Sequence, residues 1–275
     1  MILSLNHCSA TGLPLDLRSV RDRLVAQRLG TEFHYFAEIG STNTYARRLA
    51  EQGASEGELV IADSQTDGRG RLGRHWVSPP NLNLYFSVIL RPKLPPARAP
   101  QITLMAAVAL AETLQSLLPV PPAIKWPNDI TVNGKKLAGI LTEMSCGTNA
   151  VDFVILGIGV NVNYPVDLMP EAIRQRATSV SAECQKKISR EDFLRRLIQH
   201  LDRCYGEIEE NGFAPLAPRW EAYFGWRGHR VRIELLGQVT FGIARGLDHD
   251  GALLLEDEHG SLQRVIAGDV TRVSK

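Results

Sequence analysis

Asp63-Ser-Gln-Thr-Asp-Gly-Arg-Gly-Arg-Leu-Gly-Arg-His-Trp76 is the stretch on which the fold class turns. Glycines 68, 70 and 73 alternate with arginines 69, 71 and 74. Glycine lets a backbone approach a ligand closely, and each guanidinium offers a planar fork of donors for phosphate or carboxylate. Gly68-Arg-Gly70-Arg-Leu-Gly73 also has the spacing of the dinucleotide fingerprint, which works only where it opens a helix. Here it runs into His75-Trp-Val-Ser-Pro-Pro80, where two prolines stop any helix. A Gly-Lys-Ser/Thr ending is missing too, so neither the dinucleotide fold nor the P-loop fold is indicated. What remains is a loop whose side chains grip an anion, set against the plainer reading of a solvated basic turn.

Glu58–Asp63 upstream reads as the strand that delivers this loop, and Asn83–Arg91 downstream as another β-branched and aromatic strand. Trp76 between them is placed either to stack on a flat ligand or to plug the core edge. Earlier in the chain, residues 15–29 carry apolar positions 17, 20, 24 and 25 at helical spacing, and Gly30 stops them. Phe33–Glu38 is a strand, followed by a helix through Leu49 with Ser41 at its cap. Ser41-Thr-Asn-Thr-Tyr45 sets hydroxyls and amides at a positive helix end.

Residues 101–118 are apolar nearly all round, as in a helix buried against a sheet. Asn133-Gly134 between alternating runs predicts a hairpin of Ile130–Val132 and Lys135–Glu143. Lys136 on its returning strand calls for an anion if it points inward, and Ala138 and Gly139 leave room for a ligand. Asp129 reads as a turn former, with a share in holding Mg²⁺ beside phosphates left open. Val151–Asn163 has the composition of a central strand, with Gly157 and Gly159 marking close approach.

Residues 164–187 read as loop. Ser189 caps a long amphipathic helix that ends at Asn211-Gly212, and its His200 reads as a surface residue. After a short helix at Leu216–Phe224, the segment Gly225–Gly228 separates residues 1–226 from 227–275. In the second part His229–Leu235, Val239–Leu247, Ala252–Glu256 and Leu262–Ile266 are short strands with tight turns, predicting a small antiparallel barrel. The fold class is thus α+β: a mixed sheet packed with helices, plus a small C-terminal β-barrel.

The 31 Lys+Arg against 30 Asp+Glu leave a net charge of +1, which speaks against a protein that coats nucleic acid or an anionic membrane. Four cysteines without Cys-x-x-Cys spacing read as reduced thiols of a cytoplasmic protein. The opening Met-Ile-Leu-Ser-Leu-Asn has no basic flank or long apolar stretch, so no leader is expected, and no run is long enough to span a bilayer. The forty residues ahead of the first motif are too few for a winged helix-turn-helix, so a DNA partner is not expected.

Taken together, Ser41-Thr-Asn43, Gln65–Trp76, Lys125-Trp-Pro-Asn-Asp129, Lys136-Leu-Ala-Gly-Ile-Leu141 and Gly157-Ile-Gly-Val-Asn161 resemble, in order and spacing, the motifs of the biotin–protein ligases. The resemblance runs from Phe33 to the C-terminus, where Gly242–Asp248 and Gly251–Glu256 look like the family's SH3-like domain. It implies an ATP- and Mg²⁺-dependent enzyme that makes biotinyl-5′-AMP and passes biotin to a lysine of a biotin carboxyl carrier protein. On it, Ser41, Thr42, Asn43, Gln65, Arg69, Gly70, Arg71, Lys136 and Gly139 would hold biotin. Arg69, Arg71, Trp76, Lys125, Asn128 and Asn161 would lie on the nucleotide side, Asp129 would meet the metal, and Lys136 and Arg71 would act in catalysis. A homodimer is left open, and the missing N-terminal winged helix removes the repressor role that some members carry. The rival readings are a lipoate–protein ligase, which would want a longer apolar channel, and a nucleic-acid-binding protein using the basic loop.

Overall fold

The computed structural model describes residues 12–147, 150–235 and 237–273. The opening segment read for a leader, and Cys8 with it, lie outside the described residues. In chain order the elements are α1 (Leu17–Arg21), β1 (Phe33–Ile39), α2 (Thr42–Glu51), β2 (Leu59–Gln65), β3 (Leu84–Leu90) and α3 (Pro100–Gln115). They continue with β4 (Ala123–Lys125), β5 (Asp129–Val132), β6 (Lys135–Cys146), β7 (Val151–Val160), α4 (Glu171–Arg174), α5 (Val180–Cys184), α6 (Arg190–Asn211) and α7 (Ala217–Ala222). The C-terminal strands are β8 (Arg230–Leu235), β9 (Gln238–Leu247), β10 (Leu253–Glu256), β11 (Leu262–Val265) and β12 (Asp269–Arg272).

Seven strands form a mixed sheet in the order β1-β2-β3-β7-β6-β5-β4, in which only β1 and β2 run parallel. The strand expected to be central, β7, holds the middle place. Its neighbour β3 is buried at every position, as a strand covered on both faces must be. On one face α2 covers Val60, Ile89, Phe153 and Ile155. On the other, α3 and α6 cover Leu59, Ile61, Phe86 and Val88 in a larger core. Each fully buried Leu or Ile there contributes about 1.5–3 kcal/mol. Ser189 caps α6 by accepting from the Asp192 N–H, as its sequence predicts.

The β5–β6 hairpin turns at Asn133 and Gly134 with φ of 51° and 76°, so the chain takes the tight left-handed turn that this dipeptide favours. β6 then carries a bulge opposite the Ile130/Thr131 step: Asp129 faces Gly139, while Thr131 faces Lys136. A bulge shifts side-chain parity by one, so Lys136 joins Gly139 on the α2 face and Leu137 turns into the core.

Four expectations need correction. Residues 164–187, read as loop, carry α4 and α5. The helix predicted over 15–29 is confined to Leu17–Arg21. Beyond it, Asp202 of α6 accepts backbone N–H bonds from Gln27, Arg28 and Leu29 at 2.7–3.0 Å and draws the chain into an irregular turn. His200 is half-buried rather than on the surface, with Nδ1 2.8 Å from the Thr113 hydroxyl, and burial pushes its pKa down. The C-terminal strands form an antiparallel sheet in the order β11-β10-β9-β8-β12, with β11 and β12 as its two edges, and among the described residues it does not close into a barrel. Its inner residues Val231, Ile233, Leu253, Leu255 and Val270 belong to the larger core.

Behind the glycine/arginine loop stands a buried ion pair. Arg190 Nη1 lies 2.7 Å from Asp63 Oδ1 and 3.0 Å from the Asn83 carbonyl, with both side chains at most 5% exposed. Tyr35 also donates to Asp63, and burial together with that bond pushes its pKa to about 12. This cluster ties α6 to the end of β2 just before the loop begins.

Candidate active site

One cavity opens where the N-terminus of α2 meets the ends of β2, β6 and β7, and the glycine/arginine loop folds across it. Gly139 and Gly159 pair across β6 and β7, and Gly157 pairs with Leu141. They form a floor without side chains. A Cβ on Gly157 would stand 2.0 Å from Asn43 Oδ1, and one on Gly159 would stand 2.8 Å from Trp76 Nε1. The close approach read from these glycines is therefore real, and its occupants are Asn43 and the Trp76 indole. Trp76 Nε1 is buried without a hydrogen-bond partner, and the Lys136 ammonium stands 5.2 Å from the ring centroid.

One end of the cavity is neutral. Ser41 stands at the cap position of α2 but makes no side-chain cap. Gln65 takes over that task, accepting from the Thr42 N–H at 2.9 Å, while its own amide donates to Ser78 Oγ at 3.2 Å. Ser87 of β3 sits 2.6 Å from Asn43 Oδ1 and 2.8 Å from Thr42 Oγ1. Ser41, Thr42, Asn43 and Ser87 are buried, so these amides and hydroxyls are fixed in orientation by one another.

The other end is cationic, and carboxylates or carbonyls face most of its cations. Lys136 Nζ lies 2.6 Å from Asp129 Oδ1 as a charge contact without hydrogen-bond alignment. Arg69 is 3.7 Å from Glu143, and Arg74 pairs with Asp269 of β12. Arg71 donates to Asn128 Oδ1 at 3.3 Å and to the Gly268 carbonyl at 3.5 Å. Lys125 stands 5.4 Å from the Trp226 ring centroid. Burial lowers the pKa of Arg71 and of Lys125, with nearby aspartates pulling the other way. Cations held this way at the edge of a small cavity can exchange a protein carboxylate for a ligand's phosphate or carboxylate. The cavity measures about 140 Å³, less than the ~300–1,000 Å³ typical of ligand pockets, and a second of about 250 Å³ shares Arg71, Asn128 and Ile140 with it.

The cavity is lined by every residue given a binding, metal or catalytic role in the sequence except one. Asn161 stands apart: its buried amide donates to the Thr178 carbonyl at 3.0 Å and accepts from Asn83, which serves the chain itself. Three contributors were not read from the sequence. Ser87 is the one small polar residue in the run Leu84–Leu90, a signal that was available. Glu143 falls on the site face two residues beyond Leu141, and Asp269 belongs to a strand too short to stand out. Among the described residues no group of three or more His, Cys, Asp and Glu could hold a metal alone.

A neutral amide pocket joined to a cationic mouth under a glycine/arginine loop suits a polar organic acid at one end and an anionic group at the other. The comparisons with known proteins agree. The model of the biotin/lipoate A/B protein ligase family matches residues 35–161, and that of the biotin protein ligase C-terminal domain matches 228–272. The biotin–[acetyl-CoA-carboxylase] ligase of Mycobacterium tuberculosis is 37% identical over 268 residues, covering 94% of this chain and 96% of that protein. The bifunctional ligase/repressor BirA of Bacillus spizizenii is 38% identical over 251 residues, covering 91% of this chain and 77% of that protein. The solved biotin protein ligase from Aquifex aeolicus in complex with biotin and ATP superposes with a TM-score of 0.76 at 29% identity, over 89% of this chain and 100% of that one. The chain belongs to the biotin protein ligases of the biotin/lipoate A/B protein ligase family.

Proposed function

We propose that the chain activates biotin with ATP, releasing pyrophosphate, and then passes the biotinyl group from biotinyl-5′-AMP to a lysine of a biotin carboxyl carrier protein. The observation that carries this reading is the union, in one cavity, of the fixed amide end at Asn43 and Gln65 with Lys136, Arg69, Arg71, Arg74 and Lys125 at the other. A fused ureido ring offers one carbonyl and two N–H groups, which suits the donors and acceptors around Ser41, Thr42, Asn43 and Gln65. Its valeryl carboxylate would then reach towards Lys136.

In the first step a biotin carboxylate oxygen bonds to the α-phosphorus of ATP and the bond to the β-phosphate bridging oxygen breaks. Two anions must meet, so the barrier is mainly repulsion and orientation, and fixed cations lower it. On this reading Lys136 would meet both acids, with Arg71 beside them. Neither needs to act as nucleophile. Asp129, in the cavity lining beside Lys136, would help hold Mg²⁺, an ion that commonly binds through one or two carboxylates plus phosphate and supplies charge neutralisation. In the second step the acceptor lysine's neutral amine attacks the acyl carbon and AMP leaves. The loop bearing Arg69 and Arg71, closed meanwhile, keeps water from the anhydride.

The division at 226/227 goes with this reading, residues 1–226 holding the acid and nucleotide and residues 227–275 lending Asp269 to the cavity's rim. So does cytoplasmic residence, where ATP is at hand; no described helix is long and apolar enough to cross a membrane. The test is pyrophosphate release with ATP-Mg²⁺ and either biotin, lipoate or octanoate. Biotin should exceed the other two by roughly a hundredfold or more, as a site built on hydrogen bonds discriminates. Equal or better turnover of lipoate would replace this reading with its closest rival.

A further inference from the structure

Glu143 lies outside the cavity lining and yet touches both of its halves. Oε2 accepts from Asn43 Nδ2 at 2.8 Å, and Oε1 stands 3.7 Å from Arg69 Nη1 of the loop. Its side chain is 24% exposed, on the same strand face as Gly139 and Leu141. The bonds around it have a fixed direction. Asn43 Nδ2 also donates to the Leu141 carbonyl at 3.3 Å. Neither a carboxylate nor a carbonyl has a proton to give, so Asn43 must turn its NH₂ towards Glu143 and Leu141 and its carbonyl oxygen the other way. That oxygen meets the Ser87 hydroxyl at 2.6 Å, which must donate to it; Ser87 then accepts from Thr42 Oγ1 at 2.8 Å. Thr42 gives its N–H to Gln65 Oε1, and Gln65 gives its NH₂ to Ser78, whose hydroxyl closes onto the Trp76 carbonyl at 3.0 Å. The chain starts at a residue bound to the loop's Arg69 and ends at the loop's other root.

We propose that Glu143 is a positioning residue for the ligase reaction: it sets the polarity of the Asn43–Ser87–Thr42 chain and ties that chain to Arg69. The inference rests on the reading of this cavity as the biotin site and names a role for a residue that reading does not use. Glu143 touches no reacting atom in this account. With the Leu141 carbonyl it holds the Asn43 amide in one orientation, and it rewards the loop for lying closed over a correctly oriented Asn43.

Two substitutions separate its two contacts. Glu143→Ala removes both, whereas Glu143→Gln keeps an oxygen for Asn43 and drops the charge that holds Arg69. Biotin affinity by calorimetry and the dissociation rate of bound biotinyl-5′-AMP are measured for both, for Arg69→Ala, for the double variant Glu143→Gln with Arg69→Ala, for Ser87→Ala and for the parent. Glu143→Ala should weaken biotin by roughly tenfold, the cost of the shorter, charge-assisted bond of Asn43 with only the one to Leu141 left to hold the amide, with little change in the KM for ATP. Glu143→Gln should keep biotin within about threefold yet release adenylate as fast as Arg69→Ala, and the double variant should release it no faster. Ser87→Ala should weaken biotin without changing adenylate release. Parental biotin affinity in Glu143→Ala, or additive release rates in the double variant, would overturn the proposal. Should Glu143→Ala fail to fold, Glu143→Gln and Ser87→Ala decide it. A parent chain that binds no biotin would instead overturn the functional reading itself.

Discussion

The two ends of the cavity solve opposite problems. At Asn43, Thr42, Gln65 and Ser87 the polar groups are buried and bonded to one another, so the neutral end is assembled before a ligand arrives. At Arg69, Arg74 and Lys136 the partners are carboxylates of the protein, and Arg69 and Arg74 keep half or more of their side chains exposed. A buried neutral network is costly to disturb, while a half-exposed ion pair contributes about 0–1 kcal/mol and is easily exchanged. The difference teaches how one cavity can be rigid in choosing its acid and yielding in admitting a highly charged co-substrate. Asp63–Arg190 marks the extreme of the first behaviour, an ion pair so enclosed that no ligand could exchange with it.

The largest test of that contrast lies there. Arg190→Ala leaves Asp63 charged and buried, and should cost about 3–5 kcal/mol of stability in a urea melt, whereas Asp269→Asn at the mouth should cost less than about 1. Equal losses would break the distinction. Lys136→Ala should lower the rate of adenylate formation by roughly 10²–10³-fold with folding intact, read by pyrophosphate exchange. Gly157→Ala places a methyl 2.0 Å from Asn43 Oδ1, so it should raise the KM for biotin by roughly tenfold or more while the KM for ATP stays near the parent's. Arg71→Ala should let free adenylate escape several-fold faster, roughly as one lost loop contact allows, and parental retention would remove the loop's protective role. The smallest effect concerns His200. Because burial lowers its pKa in the folded chain, the unfolded chain binds the extra proton first, so its contribution is intact above about pH 6.5 and lost as pH falls below that. His200→Gln should therefore show a shallower decline in melting temperature on acidification than the parent.

Much of this was legible beforehand because it depends on near neighbours. Asn133-Gly134 specifies its turn by the positive φ both residues accept, Ser189 caps α6, and the runs 84–90 and 151–160 alternate or saturate with apolar residues as strands do. The 15–29 helix failed because Asp202, far along the chain, offered its backbone better partners than another turn of helix would. Asn161 carried the right amide at the right strand end, and the neighbouring Thr178 carbonyl claimed it.

By itself the sequence determined the elements, the hairpin, the glycine floor and the supply of cations, since propensity, turn chemistry and the lack of a Cβ act within a few residues. Tertiary structure alone decided which side chains meet. A single bulge opposite Ile130/Thr131 turns Lys136 onto the site face, strand register brings Glu143 under Asn43 and Arg69, and a four-residue edge strand carries Asp269 to Arg74. Strand pairing has a side-chain period of two, so one inserted residue reverses every face beyond it, and no local pattern in the sequence announces where that residue falls.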